Sequence, residues 1–172
     1  MATDGPTTDD TLHSRGLRVV AMTPDLAEAL VRFHEALSAS TTRNRFFAVH
    51  PHLTVEEVRR FTDVDHVARD AIVALDPDDE IVAVARFDRL APRSAEAEVA
   101  FVVADGWQHQ GVGAALFARI ATLAAERGME RLVADTLAGN RAMRAVFRHS
   151  GHPVVETFAD GVVHVTIELT PR

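Results

Sequence analysis

Apolar residues recur at two spacings along the chain, and the change of spacing separates predicted helices from predicted strands. Between residues 26 and 37, leucine and phenylalanine repeat every three or four positions, which is the spacing of one helix face. From residue 71 onward, short apolar runs bounded by turn residues are typical of strands. Helices are predicted over residues 23–40, 54–61, 111–127 and 140–150. Strands are predicted over residues 17–22, 71–75, 81–87, 96–104, 132–137, 154–158 and 162–169.

Capping residues mark several of these boundaries. Thr23, followed by a proline, is predicted to be an N-cap, and Thr54 opens the next helix with a capping pattern. Gly128 is predicted to end the long helix, because glycine readily adopts the left-handed conformation found there. The polar stretch 38–44 is predicted to be a loop.

The order of elements predicts the fold class. One strand and two helices precede three successive strands, and a helix, a strand, a helix and two strands follow. This order predicts an α+β fold with a mixed sheet and helices on both faces, forming a single domain over residues 16–172. Residues 1–15 are polar and carry no apolar run, so we expect a flexible tail there.

Composition narrows the classes of function. The chain has 172 residues, 47% of them hydrophobic, and no stretch approaches the ~20 apolar residues of a membrane span. It has no cysteine, which excludes a disulfide framework and a thiol nucleophile, and a reduced, cytoplasmic location is expected. A net charge of −7 disfavours nucleic acid as a partner. All 18 basic residues are arginine, and assembly as a homodimer stays open.

The clearest chemical signal lies where the strand 96–104 passes into the long helix. The segment reads Gln108-His109-Gln110-Gly111-Val112-Gly113. Two glycines at a helix opening let the backbone approach a ligand, and the unpaired N–H groups there favour a pyrophosphate. A dinucleotide fingerprint fails because Leu116 replaces the third small residue, and a Walker loop fails because the chain has no lysine.

The surviving pattern, Gln-x-x-Gly-x-Gly, resembles the acyl-CoA-binding motif of the GNAT N-acetyltransferase superfamily. The resemblance extends over nearly the whole chain after Arg15. It implies a mostly antiparallel, twisted sheet, splayed in the middle, with acetyl-CoA in the gap between strands 96–104 and 132–137. It also implies that backbone groups of Val102 and Val103 bind the pantetheine arm. The loop residues that it implies as pyrophosphate ligands are His109, Gln110, Gly111, Val112, Gly113 and Ala114.

A further motif opens the next helix. Asn140 resembles the family asparagine that touches the cofactor arm, and it is equally suited to be a plain N-cap. Phe147 stands where many members carry a tyrosine that protonates the leaving thiolate, and the chain has no tyrosine. An aromatic ring at this position is expected to pack against the cofactor arm. A thiol with a pKa of about 8.5 can leave as the anion near neutral pH.

Acyl transfer to an amine also needs a base. A lysine ammonium group with a pKa of about 10.4 is neutral only about once in 2,500 at pH 7. Glu96 and Glu98 lie two apart in one strand and therefore share one face. Glu98 lies where several protein-lysine-acetylating members of the family carry their general base, and partial burial is expected there. The alternative is that both glutamates occupy a solvated face. No metal site is predicted, because His50 and His52 have no evident third ligand.

The acceptor is suggested by a second resemblance. Arg45-Phe46-Phe47, with Asp63-Val64-Asp65 downstream, resembles the catalytic domain of bacterial protein-lysine acetyltransferases. This resemblance implies direct attack of a protein lysine on acetyl-CoA. The two phenylalanines are equally consistent with capping the sheet edge. Two other functions stay open: acetylation of a small-molecule amine, and a non-catalytic domain that binds acetyl-CoA as a sensor.

Overall fold

The computed structural model describes residues 8–169, whose strands form one seven-stranded sheet. The strands are β1 (Arg18–Ala21), β2 (Arg69–Leu75), β3 (Ile81–Arg89), β4 (Glu96–Val103), β5 (Arg131–Leu137), β6 (Val154–Ala159) and β7 (Val162–Glu168). The helices are α1 (Thr8–Ser14), α2 (Ala27–Glu35), α3 (Ala39–Phe46), α4 (Val55–Thr62), α5 (Val112–Glu126) and α6 (Arg141–Arg148). Within residues 8–169, none of them is both long and apolar enough to cross a bilayer.

The sheet is mixed and mostly antiparallel, as predicted. Its strand order is β1-β2-β3-β4-β5-β7-β6, and only the β4–β5 pair is parallel. Helices α1, α5 and α6 pack on one face, where Leu116, Ile120 and Phe147 are fully buried. Helices α2 and α4 cover the other face, with Phe33 in that core. The predicted α+β class with helices on both faces is confirmed.

The two central strands separate soon after they meet. β4 and β5 pair at three positions only, the last of which joins Glu98 to Val133. Beyond that point β4 continues along β3 as far as Val103, and β5 continues along β7 as far as Leu137. Each strand keeps its outer partner while the inner edge opens. The predicted splay in the middle of the sheet is therefore confirmed.

Two helices lie where the sequence predicted none. α1 occupies part of the expected polar tail, because Leu12 is 2% exposed and anchors the helix in the core. This corrects the tail prediction for residues 8–14, whereas residues 1–7 lie outside the described chain. α3 replaces the loop expected at 38–44, and it begins at Ser38, whose side chain accepts a hydrogen bond from Thr41 N.

The predicted helix boundaries have mixed outcomes. Thr54 forms a complete capping box with Glu57, as its sequence predicts. Gly128 lies just beyond α5 at a φ of 80°, which agrees with the predicted helix end. Thr23 was predicted to be an N-cap, but its side chain makes no capping bond to any residue that the structure describes. A 3-10 turn at Pro24–Leu26 precedes α2 instead.

Candidate functional site

The backbone of β4 alternates between its two neighbouring strands. Ala104 N donates to Val82 O at 2.8 Å, and the register places Val102 opposite Val84. In an antiparallel pair, every second residue exchanges hydrogen bonds with its partner. The even-numbered residues of β4 therefore bond to β3. The odd-numbered residues direct their N–H and C=O groups toward β5, which has moved away.

The free edge of β4 thus consists of Phe101 and Val103. The Val103 carbonyl accepts a hydrogen bond from Gln108 Nε2 at 3.0 Å. Both groups of Phe101 and the Val103 N–H face the gap. The backbone of Val102 was expected to bind a ligand as well, but the register directs it to β3, and the free edge has the backbone groups of Phe101 in its place.

The loop before α5 aims further donors at the same gap. His109 and Gly111 turn the chain with φ angles of 59° and 82°, a region that favours glycine. The first hydrogen bond of α5 runs from Ala115 N to Gly111 O at 3.0 Å. The N–H groups of residues 112–114 therefore precede the helical ladder, at the positive end of a 15-residue helix. This arrangement suits a phosphate or diphosphate.

A cavity of about 300 Å³ joins the β4 edge to this helix start. That volume is at the lower end of the range for small-molecule sites. Its walls contain seven of the predicted cofactor-binding residues: Val102, Val103, His109, Gly111, Gly113, Ala114 and Asn140. The other two are not among the lining residues. Val112 is fully buried, and the side-chain amide of Gln110 donates to Gly106 O at 2.8 Å, so each has only its backbone N–H to offer.

Helix α1 supports the outer side of this loop. Arg15 Nη1 donates to Gln110 Oε1 at 3.0 Å. Thr11 Cγ2 lies 3.4 Å from the position that a Cβ would take at Gly111. Sequence reasoning missed this support, because a seven-residue helix with one buried leucine has no periodic signal.

A polar network ties α3 to the same loop. Asp105 accepts hydrogen bonds from Ser38 N at 3.0 Å, Ser38 Oγ at 2.6 Å and Thr41 Oγ1 at 2.9 Å. Gln108 Nε2 also donates to Thr41 Oγ1 at 3.1 Å. The first glutamine of the motif therefore holds α3 and β4 together. The position of α3 over the gap depends on this network.

The network predicts a pH effect on stability. Burial alone raises the pKa of Asp105, but hydrogen bonds from Ser38 and Thr41 lower it below the usual 3.8. A carboxyl group with a lowered pKa contributes stability that is present above 3.8 and lost as pH falls through the folded value. We expect Asp105→Asn to be less stable than the wild type at neutral pH and to lose less stability below about pH 4. Urea midpoints across this pH range measure both effects.

The control for this experiment is Asp78→Asn, at an exposed turn position. Its midpoints should follow those of the wild type at every pH. Parallel curves for wild type and Asp105→Asn would show that the network adds no pH-dependent stability.

Asn140 has the capping role that its sequence allowed. Its Oδ1 accepts a hydrogen bond from Met143 N at 3.2 Å, and the residue also lines the 300 Å³ cavity. We expect Asn140→Ala to cost about 1 kcal/mol of unfolding free energy. Asn140→Ser keeps an N-cap acceptor and should retain most of the stability. Calorimetry of coenzyme A binding to the serine variant separates the two roles. Weaker binding would show that the Asn140 amide contacts the ligand, and unchanged binding would show that Asn140 acts only as the N-cap.

A second cavity, of about 470 Å³, lies between the gap and α3. Glu98 lines it at the last paired position of β4 and β5. The glutamate is exposed, whereas partial burial was expected, because the splay opens the sheet at this point. Asp135 on β5 lines the same cavity, and its carboxylate bonds to His164 Nδ1 at 2.5 Å.

Neighbouring charges distinguish Glu98 from the other carboxylates nearby. Asp88 lies directly opposite it on β3, but Arg86 and Arg69 bind Asp88 at 2.6 and 3.0 Å. Glu96 forms an ion pair with Arg131. Glu98 is close enough to Arg45 to attract it, but it is the carboxylate of this group that lines the cavity and is best placed to accept a proton there.

Phe147 does not occupy the place expected for it. Its side chain is fully buried, with ring centroids 5.7 Å from Phe101 and 5.2 Å from Phe117. It packs in the core and not along the cavity. The position therefore supplies neither a proton nor a contact to a ligand.

The histidines near α3 make packing and polar contacts, and His50 Nε2 lies 3.1 Å from Glu57 Oε1. His50 stacks on Phe46 with centroids 4.3 Å apart, and its carbonyl lies 2.7 Å from His34 Nε2. Burial lowers the pKa of His34. Across residues 8–169, no three His, Cys, Asp or Glu side chains are grouped to hold a metal ion.

Comparison with known proteins identifies a family whose model matches this chain. The model of the acetyltransferase (GNAT) family matches residues 28–152. Acetyltransferase Pat of Mycolicibacterium smegmatis is 34% identical over 91 residues, which are 53% of this chain and 27% of that protein. This chain thus spans about a quarter of the length of that curated relative.

Solved structures share the fold over most of the chain. The GNAT domain of S. lividans PAT is 41% identical with a TM-score of 0.83, over 89% of this chain and 90% of that one. A protein from Salmonella typhimurium, solved with its cofactor acetyl-CoA, has a TM-score of 0.71 over 91% of this chain and 96% of its own. Its identity is 13%, so this second likeness is one of fold.

Proposed function

Since the chain belongs to the acetyltransferase (GNAT) family, we propose that it transfers an acetyl group from acetyl-CoA to a lysine side chain of a protein. The observation that carries this proposal is the meeting of three features at one point of the sheet. They are the free edge of β4, the start of α5 and the carboxylate of Glu98.

The first two features provide the seat for the acyl donor. The Phe101 and Val103 backbone groups can pair with the amides of a pantetheine arm as an added half-strand. The N–H groups of residues 112–114 can hold the diphosphate. The 300 Å³ cavity connects these two sets of donors. The start of α5 and the edge of β4 therefore follow one another in the same order as the diphosphate and the pantetheine arm of coenzyme A.

Glu98 supplies the base. It accepts a proton from the acceptor ammonium group, whose nitrogen then attacks the thioester carbonyl carbon directly. The new C–N bond forms, the C–S bond breaks, and the sulfur leaves as a thiolate. The nitrogen gives up its second proton to solvent as the amide forms. A thiol with a pKa of about 8.5 can leave in this form, which agrees with the absence of tyrosine from the sequence.

The acceptor cavity favours a lysine presented by a protein. Glu98 and Asp135 give it two carboxylates, which suit a cationic head group. Phe47 and Leu90, which are 41% and 51% exposed, also line this cavity. Their apolar surface suits the aliphatic part of a lysine side chain and the substrate residues around it. The similarity to Acetyltransferase Pat agrees with the resemblance of the Arg45-Phe46-Phe47 segment to bacterial protein-lysine acetyltransferases.

The test is thiol release from acetyl-CoA with three acceptors: a lysine-containing protein substrate, free lysine and spermidine. We expect turnover with the protein substrate and an added acetyl mass on one of its lysines. The chain contains no lysine, so modification of its own side chains cannot produce this signal. The same substrate with that lysine changed to arginine is the matched control.

The outcome also separates the alternatives. Turnover with free lysine or spermidine only would replace the proposal with a small-amine acetyltransferase. Tight coenzyme A binding without turnover on any amine would indicate a sensor domain.

A further inference from the structure

A third, smaller cavity lies behind the gap, between β4 and helix α2. Its volume is about 40 Å³, enough for about three water molecules. It shares Phe101 and Val102 with the 300 Å³ cavity, and it shares Ala100 with the cavity that contains Glu98. Arg45 lines all three. This inner cavity is therefore adjacent to the place where the donor and the acceptor would meet.

Most of the residues that line the inner cavity are apolar, but a buried arginine, Arg86, is among them. Arg86 is 6% exposed, and its Nε and Nη2 bind Asp88 at 2.9 and 2.6 Å. Its Nη1 is buried without a hydrogen-bond partner among the described residues. The guanidinium carbon lies 4.7 Å from the centroid of the Phe61 ring. A buried donor left unpaired is costly and rare, so Nη1 calls for a partner beyond the residues that the structure describes.

A second cation lines the same cavity. Burial and the neighbouring charge of Arg86 together lower the pKa of Arg45 to about 10, against the attraction of Glu98 and Asp88. The guanidinium of Arg45 contacts the Phe46 ring at 5.0 Å. Two like charges that line one small cavity repel each other, and an anion between them would relieve this repulsion.

We propose that the inner cavity is an acyl pocket for donors whose short acyl chain ends in a carboxylate, such as malonyl-CoA and succinyl-CoA. The carboxylate matches the room in the inner cavity, where Arg86 Nη1 and Arg45 would bind it. The one or two methylenes before it would lie beside Phe101 and Val102, which line both this cavity and the 300 Å³ cavity. An acetyl group has no carboxylate to offer and leaves Nη1 unpaired. The inference rests on the proposed function, because it uses the same donor seat and the same base.

The reaction is the same transfer with a different acyl group. The amine nitrogen bonds to the thioester carbonyl carbon, Glu98 takes the amine proton, and the C–S bond breaks to release the thiolate. The terminal carboxylate takes no part in the bond changes. The product is an amide that carries a free carboxylate, so the charge of the modified lysine changes from positive to negative.

The test compares donors of matched length. Succinyl-CoA and butyryl-CoA have the same number of backbone carbons and differ at the end group. For the wild type, we expect kcat/KM for succinyl-CoA to exceed that for butyryl-CoA by about tenfold or more, the factor that one charge-assisted hydrogen bond supplies. Acetyl-CoA is run in parallel to report the proposed function.

The ratio of the two rates is then measured in two variants. Arg86→Met should abolish or reverse the preference for succinyl-CoA, because it removes the charge and keeps the volume. Arg69→Met is the matched control, since Arg69 also binds Asp88 but does not line the cavity, and it should keep the preference. If Arg86→Met does not fold, Arg45→Met tests the same ratio.

Three results would overturn the proposal. The first is a wild type that turns over acetyl-CoA but has a kcat/KM for succinyl-CoA no higher than that for butyryl-CoA. A bound water would then be the partner of Nη1. Another is an unchanged preference in both Arg86→Met and Arg45→Met. Absence of turnover with every donor would overturn the proposed function, and this proposal with it.

Discussion

Glu98→Gln is expected to lower kcat by roughly 10²- to 10⁴-fold, the range for loss of a general base. Glutamine keeps the size and most hydrogen bonds of glutamate but cannot accept the ammonium proton. Glu98 lies where β4 and β5 part and lines the acceptor cavity, so its loss acts on the chemical step. The dissociation constant for coenzyme A should change little, because the donor seat lies further along β4. Stopped assays of thiol release and calorimetry of coenzyme A measure the two quantities.

Glu96→Gln is the matched control for this substitution. It removes a carboxylate from the same strand and the same face, but one that is paired with Arg131. We expect its kcat to remain close to that of the wild type. The activity of Glu98→Gln should also recover as the pH rises toward the pKa of the amine, about 10.4, because the amine then loses its proton without help. A kcat that Glu98→Gln leaves unchanged would place the base elsewhere.

Gly113→Leu is expected to raise the dissociation constant for coenzyme A by roughly 10- to 150-fold, equivalent to one charge-assisted hydrogen bond of 1.5–3 kcal/mol. A Cβ at this position would lie 3.5 Å from Phe101 Cε2 and from Val103 Cγ2. These are ordinary contacts, so the Cβ itself fits. The rest of a leucine side chain must extend into the cavity that Gly113 lines, where the diphosphate is expected.

Gly106→Leu is the control in the same loop. No described heavy atom lies within 4 Å of a Cβ built at Gly106, so its side chain would extend into open space. A substitution at Gly111 is less informative, because at a φ of 82° any side chain strains the backbone. A change in coenzyme A affinity could then reflect a loss of stability. Unaltered coenzyme A affinity in Gly113→Leu would count directly against the assignment of the loop.

The fold follows from patterns that the sequence displays openly. Seven apolar runs gave seven strands, and the stripe that ends before Gly128 gave α5, because these elements bury their apolar residues in the sheet core. The two missed helices have no such stripe. α1 is held by Leu12, and α3 by hydrogen bonds to Asp105, a residue far away in the sequence. Tertiary contacts of this kind leave no periodic pattern of apolar residues in the local sequence.

The candidate site, like the fold, could be predicted from the sequence only in part. The glycines at 111 and 113 predicted where the loop lies, since a helix opening with two glycines has a local signature. The choice of Phe101 over Val102 for the backbone edge depends on the β3–β4 register, which the sequence does not state. The meeting of Arg45 and Arg86 was equally invisible, because a helix and a strand distant along the chain bring them to one cavity.

The measurement that tests the central claim most directly is a crystal structure of the protein with coenzyme A. We expect the diphosphate within hydrogen-bonding distance of the N–H groups of residues 112–114, and the pantetheine amides paired with Phe101 and Val103. A diphosphate bound anywhere else on the chain, or a pantetheine arm outside the gap between β4 and β5, would contradict it.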